Sequence, residues 1–234
     1  MVHFISFGSL LFYPTLRRIE KEAKESGFFD HVKTYNEENL SPDILNYCLS
    51  NHRGYGFWIW KPYIVNEYMK SMNDNDILVF CDAGCHINVR GKKRFDEYVD
   101  ILKTNDIITF ELGHKNKSWT KMDTFVKLNS LDLLEYSQMV GGIFLLKKTD
   151  NTVSFVKEWL DICINNKNLI DDSPSLIQND PTFNNNRHDQ SIFSLLIRRR
   201  NPVIFSDETY EFSKSKNYTF PLNATRFKGD FMKF

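Results

Sequence analysis

The sequence has no excess of basic or acidic residues, no long apolar run and no pattern typical of a secretory signal. Its 234 residues carry 30 basic and 30 acidic side chains, so net charge provides no general attraction for nucleic acid or an anionic membrane. No apolar run is long enough to span a bilayer, and the first residues lack the basic segment and cleavage site of a secretory signal. We expect a soluble cytoplasmic protein with no nucleic-acid partner and no integral membrane segment.

Common metal and phosphate motifs are also missing. Among the cysteines Cys48, Cys81, Cys85 and Cys163, only the middle two are close in sequence, and they are typical of small buried residues rather than of half a zinc site. Neither GxGxxG nor GxxxxGK[ST] occurs, which excludes the usual phosphate cradles of dinucleotide-binding and P-loop folds. A phosphate ligand would need another means of charge neutralisation, and a divalent metal held by an acid, helped by Lys or Arg, is the obvious one.

Short apolar runs alternate along the chain with amphipathic segments. The apolar runs predict strands at 2–7, 30–36, 76–80, 106–112 and 139–148. Helical spacing and stop signals predict helices at 14–27, 41–51, 61–72, 94–105, 152–166 and 187–197. This alternation predicts an α/β fold, with a mostly parallel central sheet flanked by helices, as one domain over residues 1–234. The polar stretch 165–186 is interpreted as a long loop near a site.

Ligands of open α/β sheets bind beyond the carboxyl ends of the strands. The first strand ends at Ser6, Phe7 and Gly8, and the strand "DILVF" ends at a single acid, Asp82, which is followed by small residues. Both ends are therefore candidates for the ligand site, together with the loop that follows "DIITF".

Five motifs occur in order: "GYGFWIWKPYIV", "DILVFCDAGCHIN", "WTKMDTF", "VGGIFLLKKT" and "RHDQSIFSLL". This series resembles glycosyltransferases of the GT-A fold, and is similar to the small bacterial surface-glycan and chlorovirus-type enzymes. The resemblance runs from the first strand to Leu196. It implies a hexosyltransferase-type enzyme that uses a nucleotide-sugar donor, UDP-linked by expectation, and a glycan or other hydroxyl acceptor. For a viral member, the compartment would be the host cytoplasm.

The resemblance implies a divalent ion, Mn²⁺ or Mg²⁺, at the end of the strand "DILVF". In GT-A enzymes a DxD motif binds this ion against the donor diphosphate, and Asp82, Ala83 and Gly84 occupy its place here. Gly84 stands where the second acid is expected. Three alternatives stay open: Asp82 with water and phosphate oxygens suffices, His86 completes the ligand set, or no metal is needed. Asp82 as a purely structural turn cap is a fourth reading.

Other motif residues are expected to bind the donor. Lys61 is unfavourable at a helix N-terminus, which indicates either a ligand contact or an ordinary exposed lysine. The resemblance implies that Gly141 and Gly142 admit the donor sugar and that Arg226 and Lys228 close over its phosphates. Trp119 and Asp123 are further candidates for sugar contacts, although Asp123 is equally consistent with a helix cap.

"RHDQ" supplies the catalytic candidates. The resemblance implies that Asp189 is the acid–base residue, with His188 and Gln190 beside it. An acid in the first turn of a helix is also favourable without any function. Two other functions stay open: a sugar-1-phosphate nucleotidyltransferase, although the loop after the first strand lacks the required Gly and Lys/Arg content, and a non-catalytic glycan-binding module.

Overall fold

A computed structural model of the chain describes residues 1–210 and 220–227. Lys228, predicted to bind donor phosphates, lies outside the described residues. The strands are β1 (Val2–Phe7), β2 (His31–Tyr35), β3 (Ile77–Cys81), β4 (His86–Ile87), β5 (Ile107–Lys115), β6 (Ser137–Met139), β7 (Ile143–Lys147), β8 (Val203–Ser206) and β9 (Leu222–Asn223). The helices are α1 (Tyr13–Ser26), α2 (Pro42–Ser50), α3 (Gly54–Phe57), α4 (Trp60–Ser71), α5 (Lys92–Thr104), α6 (Met122–Lys127), α7 (Asp150–Asn165), α8 (Lys167–Ile170) and α9 (Asp189–Arg198).

A central sheet has the strand order β2-β1-β3-β7-β5-β6, and β8 also pairs with β5. In the described residues β1 pairs in parallel with β2 and β3, and β5 pairs in parallel with β8, whereas β7 is antiparallel to both of its neighbours and β6 is antiparallel to β5. A separate two-stranded ribbon joins β4 to β9. The predicted α/β class is confirmed, and the antiparallel insertion of β7 is the feature that positions the site.

The direction of β7 brings three chain segments to one edge of the sheet. Ile5 of β1 pairs in parallel with Phe80 of β3, so Phe7 and Asp82 each lie two residues farther toward the same edge. Cys81 pairs antiparallel with Ile143, the first residue of β7. The segment that enters β7 therefore lies beside the residue that leaves β3, as the antiparallel ladder requires.

Helices cover both faces of the sheet because β3 is apolar on both sides. Its side chains alternate between two cores, as the period of a strand dictates: Leu78 and Phe80 pack on one face, and Ile77, Val79 and Cys81 pack on the other. Residues of α4, α7 and α9 complete the first core, and residues of α1 and α5 complete the second.

Two predicted elements differ from the structure. The predicted strand 139–148 is split, since β6 ends at Met139 and β7 begins at Ile143. The predicted loop 165–186 contains the short helix α8. All four cysteines are buried as free thiols, as expected for small core residues. Among residues 1–210 and 220–227, no helix combines the length and the apolar character needed to cross a bilayer.

Candidate active site

Lys61 is a charged residue that the fold buries. It is the second residue of α4, and 3% of its surface is exposed. Its Nζ donates a 2.9 Å hydrogen bond to the carbonyl oxygen of Gly141 and lies 5.3 Å from the ring centroid of Phe80. This burial excludes the alternative of an ordinary exposed lysine. Because a buried ammonium is costly without ionic partners, the position requires carboxylates nearby.

The first carboxylate is Asp82, directly after β3. Its backbone N–H donates a 2.8 Å hydrogen bond to the carbonyl oxygen of Gly142, which continues the ladder between β3 and β7. Its Oδ1 is buried and lies 3.2 Å from Lys61 Nζ, although 38% of the side chain is exposed. Oδ2 is therefore the carboxylate oxygen available to a ligand. A Cβ at Gly142 would lie 2.7 Å from Oδ2, so any larger residue there would displace the acid.

The second carboxylate is Asp189, the first residue of α9. Its Oδ2 lies 3.6 Å from Lys61 Nζ, and 4% of its side chain is exposed. Trp159 Nε1 donates a 3.2 Å hydrogen bond to its backbone carbonyl oxygen, which fixes the start of α9 on α7. Within the part of the chain that the structure describes, Oδ2 has no hydrogen-bond partner. An ionisable oxygen is thus held in the interior, 3.6 Å from an ammonium.

Burial and the neighbouring charges together shift the pKa values of these three groups. Burial is the largest effect on the pKa of Asp189 and raises it, Lys61 lowers it and Asp82 raises it, and the net result is a pKa of about 7. Burial also raises the pKa of Asp82, with Lys61 again opposing. For Lys61, burial lowers the pKa, but the two carboxylates outweigh it and hold the pKa above its ordinary value. The cluster therefore carries one net negative charge with both acids ionised, and none when Asp189 takes up a proton.

The turn before α4 adopts a backbone that favours glycine. Tyr55, Phe57 and Trp58 have φ angles of 51°, 52° and 61°, in the left-handed region. Such residues each cost about 1–3 kcal/mol and persist where their surroundings determine them, often at functional sites. Trp60 holds the turn closed, since its Nε1 donates a 3.1 Å hydrogen bond to the carbonyl oxygen of Gly54. Lys61 follows this turn directly, and the direction of the turn places its side chain in the interior.

His188 connects this turn to the start of α9. Its ring lies 5.4 Å from Phe57 and 5.0 Å from Trp58, measured between centroids, and its own φ is 55°. Its Nδ1 lies 2.6 Å from the carbonyl oxygen of Ile170, and burial lowers the pKa of the imidazole. The structure thus places His188 in packing contact with the chain that carries Lys61, while its role as a proton-transfer group stays a prediction.

Gln190 holds the glycine pair in place. Its Oε1 accepts a 3.1 Å hydrogen bond from the backbone N–H of Gly141, and its Nε2 donates a 2.9 Å hydrogen bond to Gln138 Oε1. A Cβ at Gly141 would lie 2.9 Å from Cγ of Gln190. This close approach explains why position 141 is a glycine. Gln190 of α9 therefore holds the same turn whose carbonyl oxygen accepts the hydrogen bond from Lys61.

The missing second acid at Gly84 has a structural reason. A Cβ there would lie 3.1 Å from the backbone oxygen of Phe227 and 3.3 Å from Cα of Arg226. The backbone N–H of Phe227 and Oγ1 of Thr225 donate hydrogen bonds of 3.0 and 2.8 Å to the Gly84 carbonyl oxygen. The space of a second carboxylate is occupied by a segment from the far end of the described chain.

His86, a predicted metal ligand, lies in the β4–β9 ribbon. Its Nδ1 is 2.6 Å from Thr225 Oγ1, and its Nε2 is 3.9 Å from Glu22 Oε1. Across residues 1–210 and 220–227, no group of three or more His, Cys, Asp or Glu side chains is arranged to hold a metal ion. The accessible Oδ2 of Asp82 fits an ion that takes one protein carboxylate and fills its shell with water and phosphate, as Mg²⁺ often does.

The remaining predicted residues surround the cluster at different depths. Phe7 stacks on Trp60 with 4.2 Å between centroids, while the Ser6 hydroxyl is buried without a partner among the described residues. The backbone N–H of Gly8 donates a 3.1 Å hydrogen bond to the Tyr35 carbonyl oxygen. Ala83 is also buried, and Arg18 donates a 2.9 Å hydrogen bond to its carbonyl oxygen.

Two candidate sugar contacts are engaged elsewhere. The carboxylate of Asp123 accepts hydrogen bonds of 3.0 and 3.1 Å from the backbone N–H of Leu176. The Arg187 guanidinium packs over the Trp119 ring, 4.1 Å from its centroid. Sequence reasoning missed Gln138, whose hydrogen bond to Gln190 supports the glycine pair. Its position two residues before "VGG" offers no motif by which it is recognised.

Comparison with known proteins supports the fold. Over 90% of this chain and 84% of the other, the structure matches the crystal structure of a glycosyltransferase involved in the glycosylation of the major capsid of PBCV-1, with 10% identity and a TM-score of 0.51. It also matches mouse xyloside xylosyltransferase 1 in its apo form over 88% and 85% of the two chains, with 9% identity and a TM-score of 0.45. No family model and no curated protein sequence matches. The first of these matches shows that the chain has a fold of the glycosyltransferase type, which confirms the predicted GT-A architecture.

Proposed function

We propose that the protein transfers a sugar from a nucleotide-diphosphate sugar, UDP-linked by preference, to a hydroxyl of a glycan or similar acceptor. The observation that supports it most directly is the Lys61–Asp82–Asp189 cluster at the carboxyl end of β3, on a glycosyltransferase-type fold. Ligand sites of open α/β folds occur at such strand ends. A non-catalytic module needs no buried pair of acids around one lysine, and the cluster therefore favours an enzyme.

Lys61 is proposed to position the donor-binding edge. Its ammonium holds Asp82 Oδ1 at 3.2 Å and the Gly141 carbonyl oxygen at 2.9 Å, which ties together the end of β3 and the start of β7. A donor seated over Gly142 would meet a surface whose geometry is preset by one buried cation. Preset charge of this kind is worth more than mobile charge, since it needs no reorganisation during reaction.

Asp189 is proposed as the group that accepts the proton of the acceptor hydroxyl. A general base works best when its pKa is near the working pH, and burial raises the pKa of Asp189 to about 7. Its Oδ2 is 3.6 Å from Lys61, so ionisation at this oxygen is compensated in part. Burial also keeps bulk water from the base, which disfavours hydrolysis of the donor relative to transfer.

Asp82 is proposed to supply one ligand to Mn²⁺ or Mg²⁺ through Oδ2, with water and donor phosphates as the other ligands. When bound, the ion would offset the charge that develops on the leaving nucleoside diphosphate. The net negative charge of the ionised cluster favours a cation at its open side. His86 is left out of this ligand set, since Thr225 and Glu22 lie against its two nitrogens.

The test is donor binding and slow donor hydrolysis with a panel of UDP-, GDP- and dTDP-sugars, with and without Mn²⁺. We expect one donor to raise the Tm and to be hydrolysed. Lys61→Met and Asp189→Asn should each lower hydrolysis by about a hundredfold or more, as expected for groups at the reacting centre.

Lys70→Met is the matched control, because Lys70 lies on the same helix and 64% of its side chain is exposed. Stabilisation by no nucleotide sugar would refute the function. Full hydrolysis by Asp82→Asn, with unchanged dependence on Mn²⁺, would refute the metal assignment alone.

A further inference from the structure

A pocket outside the Lys61 cluster lies under the segment from Asp172 to Asn186. Its volume is about 370 Å³, near the lower end of the range for small-molecule sites. The neutral polar residues that line it are Ser173, Ser175, Gln178, Asn179, Asn185 and Asn186. The motifs assign no role to this pocket. Lys121 belongs to the motif "WTKMDTF", and the other lining residues come from the stretch 165–186, which the sequence predicts to be a long loop near a site.

The lining chemistry favours a ligand rich in hydroxyl groups. Amide and hydroxyl side chains can each donate and accept hydrogen bonds, which matches the mixed demands of a sugar. Phe183 adds an aromatic side chain to the wall, and it is only partly buried. Asn186 is 3% exposed, and its Oδ1 has no hydrogen-bond partner among the described residues. A buried acceptor of this kind gains from a ligand donor.

The charged residues of the pocket are already neutralised. Lys121 Nζ lies 3.1 Å from Asp171 Oδ1 and also donates a 2.5 Å hydrogen bond to the Asn168 carbonyl oxygen. Asp172 Oδ1 lies 3.0 Å from Nη1 of Arg53. Neither residue offers a free charge, so a phosphate or carboxylate ligand would gain little. A neutral saccharide unit fits better than an anion.

The segment that lines the pocket leads along the chain to the proposed base. Asp172 Oδ1 lies 3.8 Å from Nε2 of His188, and His188 precedes Asp189 directly in the chain. Asn186 stands three residues before Asp189, and its Nδ2 donates a 2.8 Å hydrogen bond to the Leu169 carbonyl oxygen. The wall of the pocket and the start of α9 therefore form one continuous stretch of backbone.

We infer that this pocket binds one neutral sugar unit of the acceptor. The inference rests on the proposed function, since a glycosyltransferase needs an acceptor site next to its base. A sugar held here by amide groups would be oriented before its hydroxyl, or that of its neighbour, meets Asp189. Such orientation contributes to rate by converting a bimolecular encounter into a positioned one.

Methyl-detected NMR of the full chain tests the inference, because Ile177 lines the pocket and supplies a methyl probe. The ligands are the methyl glycosides of glucose, galactose, mannose, xylose, rhamnose and N-acetylglucosamine. We expect at least one to shift the Ile177 methyl signal saturably. Asn185→Ala and Phe183→Ala should each weaken that binding by about tenfold. Neither side chain is buried, so the fold should survive both changes.

Leu176→Ala is the matched control, since Leu176 belongs to the same loop, is 88% exposed and does not line the pocket. Its affinity should equal that of the wild type. Glycerol phosphate is tested beside the glycosides as an anionic ligand. The inference is overturned if no methyl glycoside shifts the Ile177 signal, if Asn185→Ala and Phe183→Ala bind as well as the control, or if glycerol phosphate is the only ligand that binds. Donor hydrolysis is measured in parallel: if it persists while sugar binding fails, the pocket is misassigned but the proposed function stands.

Discussion

Replacing Asp189 with Asn tests the electrostatics of the site directly. The substitution keeps the shape of the side chain and removes its ability to ionise. In the wild type, ionisation of Asp189 puts a second carboxylate beside a single ammonium in the interior. The variant leaves Lys61 with Asp82, a one-to-one pair. We therefore expect Asp189→Asn to abolish transfer and yet to stabilise the fold at high pH.

The magnitude follows from the pKa. An unfolded chain releases the proton of this carboxyl near the ordinary value of 3.8, whereas the folded protein retains it to about 7. Between these values the folded state binds more protons, so the free energy of unfolding falls as the pH rises. The contribution of the protonated Asp189 carboxyl to the free energy of unfolding is fully present below about pH 4 and is lost by about pH 8. The gap corresponds to up to about 4 kcal/mol.

Urea unfolding followed by tryptophan fluorescence, at pH values from about 4 to 8, measures this effect. The difference in the free energy of unfolding between Asp189→Asn and the wild type should increase with pH in favour of the variant. Asp161→Asn on α7 is the matched control, because it also removes one acid and 50% of that side chain is exposed. The control should run parallel to the wild type.

A difference that stays constant with pH would refute the reasoning, since Asp189 would then ionise alike in the folded and unfolded chains. If the wild type instead gained stability relative to the variant as the pH rises, the expected trend would be reversed. That result would mean that Lys61 stabilises the ionised form more than burial destabilises it, and Asp189 would be a poor base at neutral pH.

Three further substitutions test the geometry, with Gly113→Ala as control because nothing lies within 4 Å of a Cβ there. Gly142→Ala should lower donor hydrolysis by about a hundredfold in enzyme assays, since its methyl would displace the Asp82 carboxylate. Gly84→Asp should lower the free energy of unfolding by about 1–3 kcal/mol in urea, because backbone occupies the space of the new side chain. His188→Phe keeps the ring stacking and loses one hydrogen bond, so it should cost about 1 kcal/mol and leave the pH profile of activity unchanged. A shifted pH profile would make His188 a proton-transfer group.

The grouping of the main site residues could be predicted from local patterns. The strand before Asp82 and the first strand of the chain are both recognisable as apolar runs. Because β1 and β3 are parallel, the residues that follow them lie at the same edge of the sheet. The helix starts at Lys61 and Asp189 are recognisable from periodicity. What these patterns do not contain is the ionic pairing itself, because it joins Lys61 to acids on other elements, and one of them, Asp189, is more than a hundred positions away.

Other features lie beyond local sequence rules for stated physical reasons. The left-handed angles at Tyr55, Phe57 and Trp58 contradict intrinsic preference. They depend on contacts such as the hydrogen bond from Trp60 and the ring contacts with His188. The loss of the second acid at Gly84 depends on a segment that crosses it from the other end of the described chain. The pocket under the long loop likewise depends on tertiary packing, because the sequence predicts a loop near a site but not the shape of the cavity that the loop encloses.

The crossing of Gly84 by residues 225–227 has a consequence for biosynthesis. Domains fold largely from the N-terminus as they are translated, at roughly 5–20 residues per second. Asp82 and its strand emerge from the ribosome early, but the hydrogen bonds from Thr225 and Phe227 to Gly84 cannot form until residues 225–227 have been made. The loop beside Asp82, the proposed metal ligand, therefore closes only after residues 225–227 have been translated, and nascent chains that end before them would present it open.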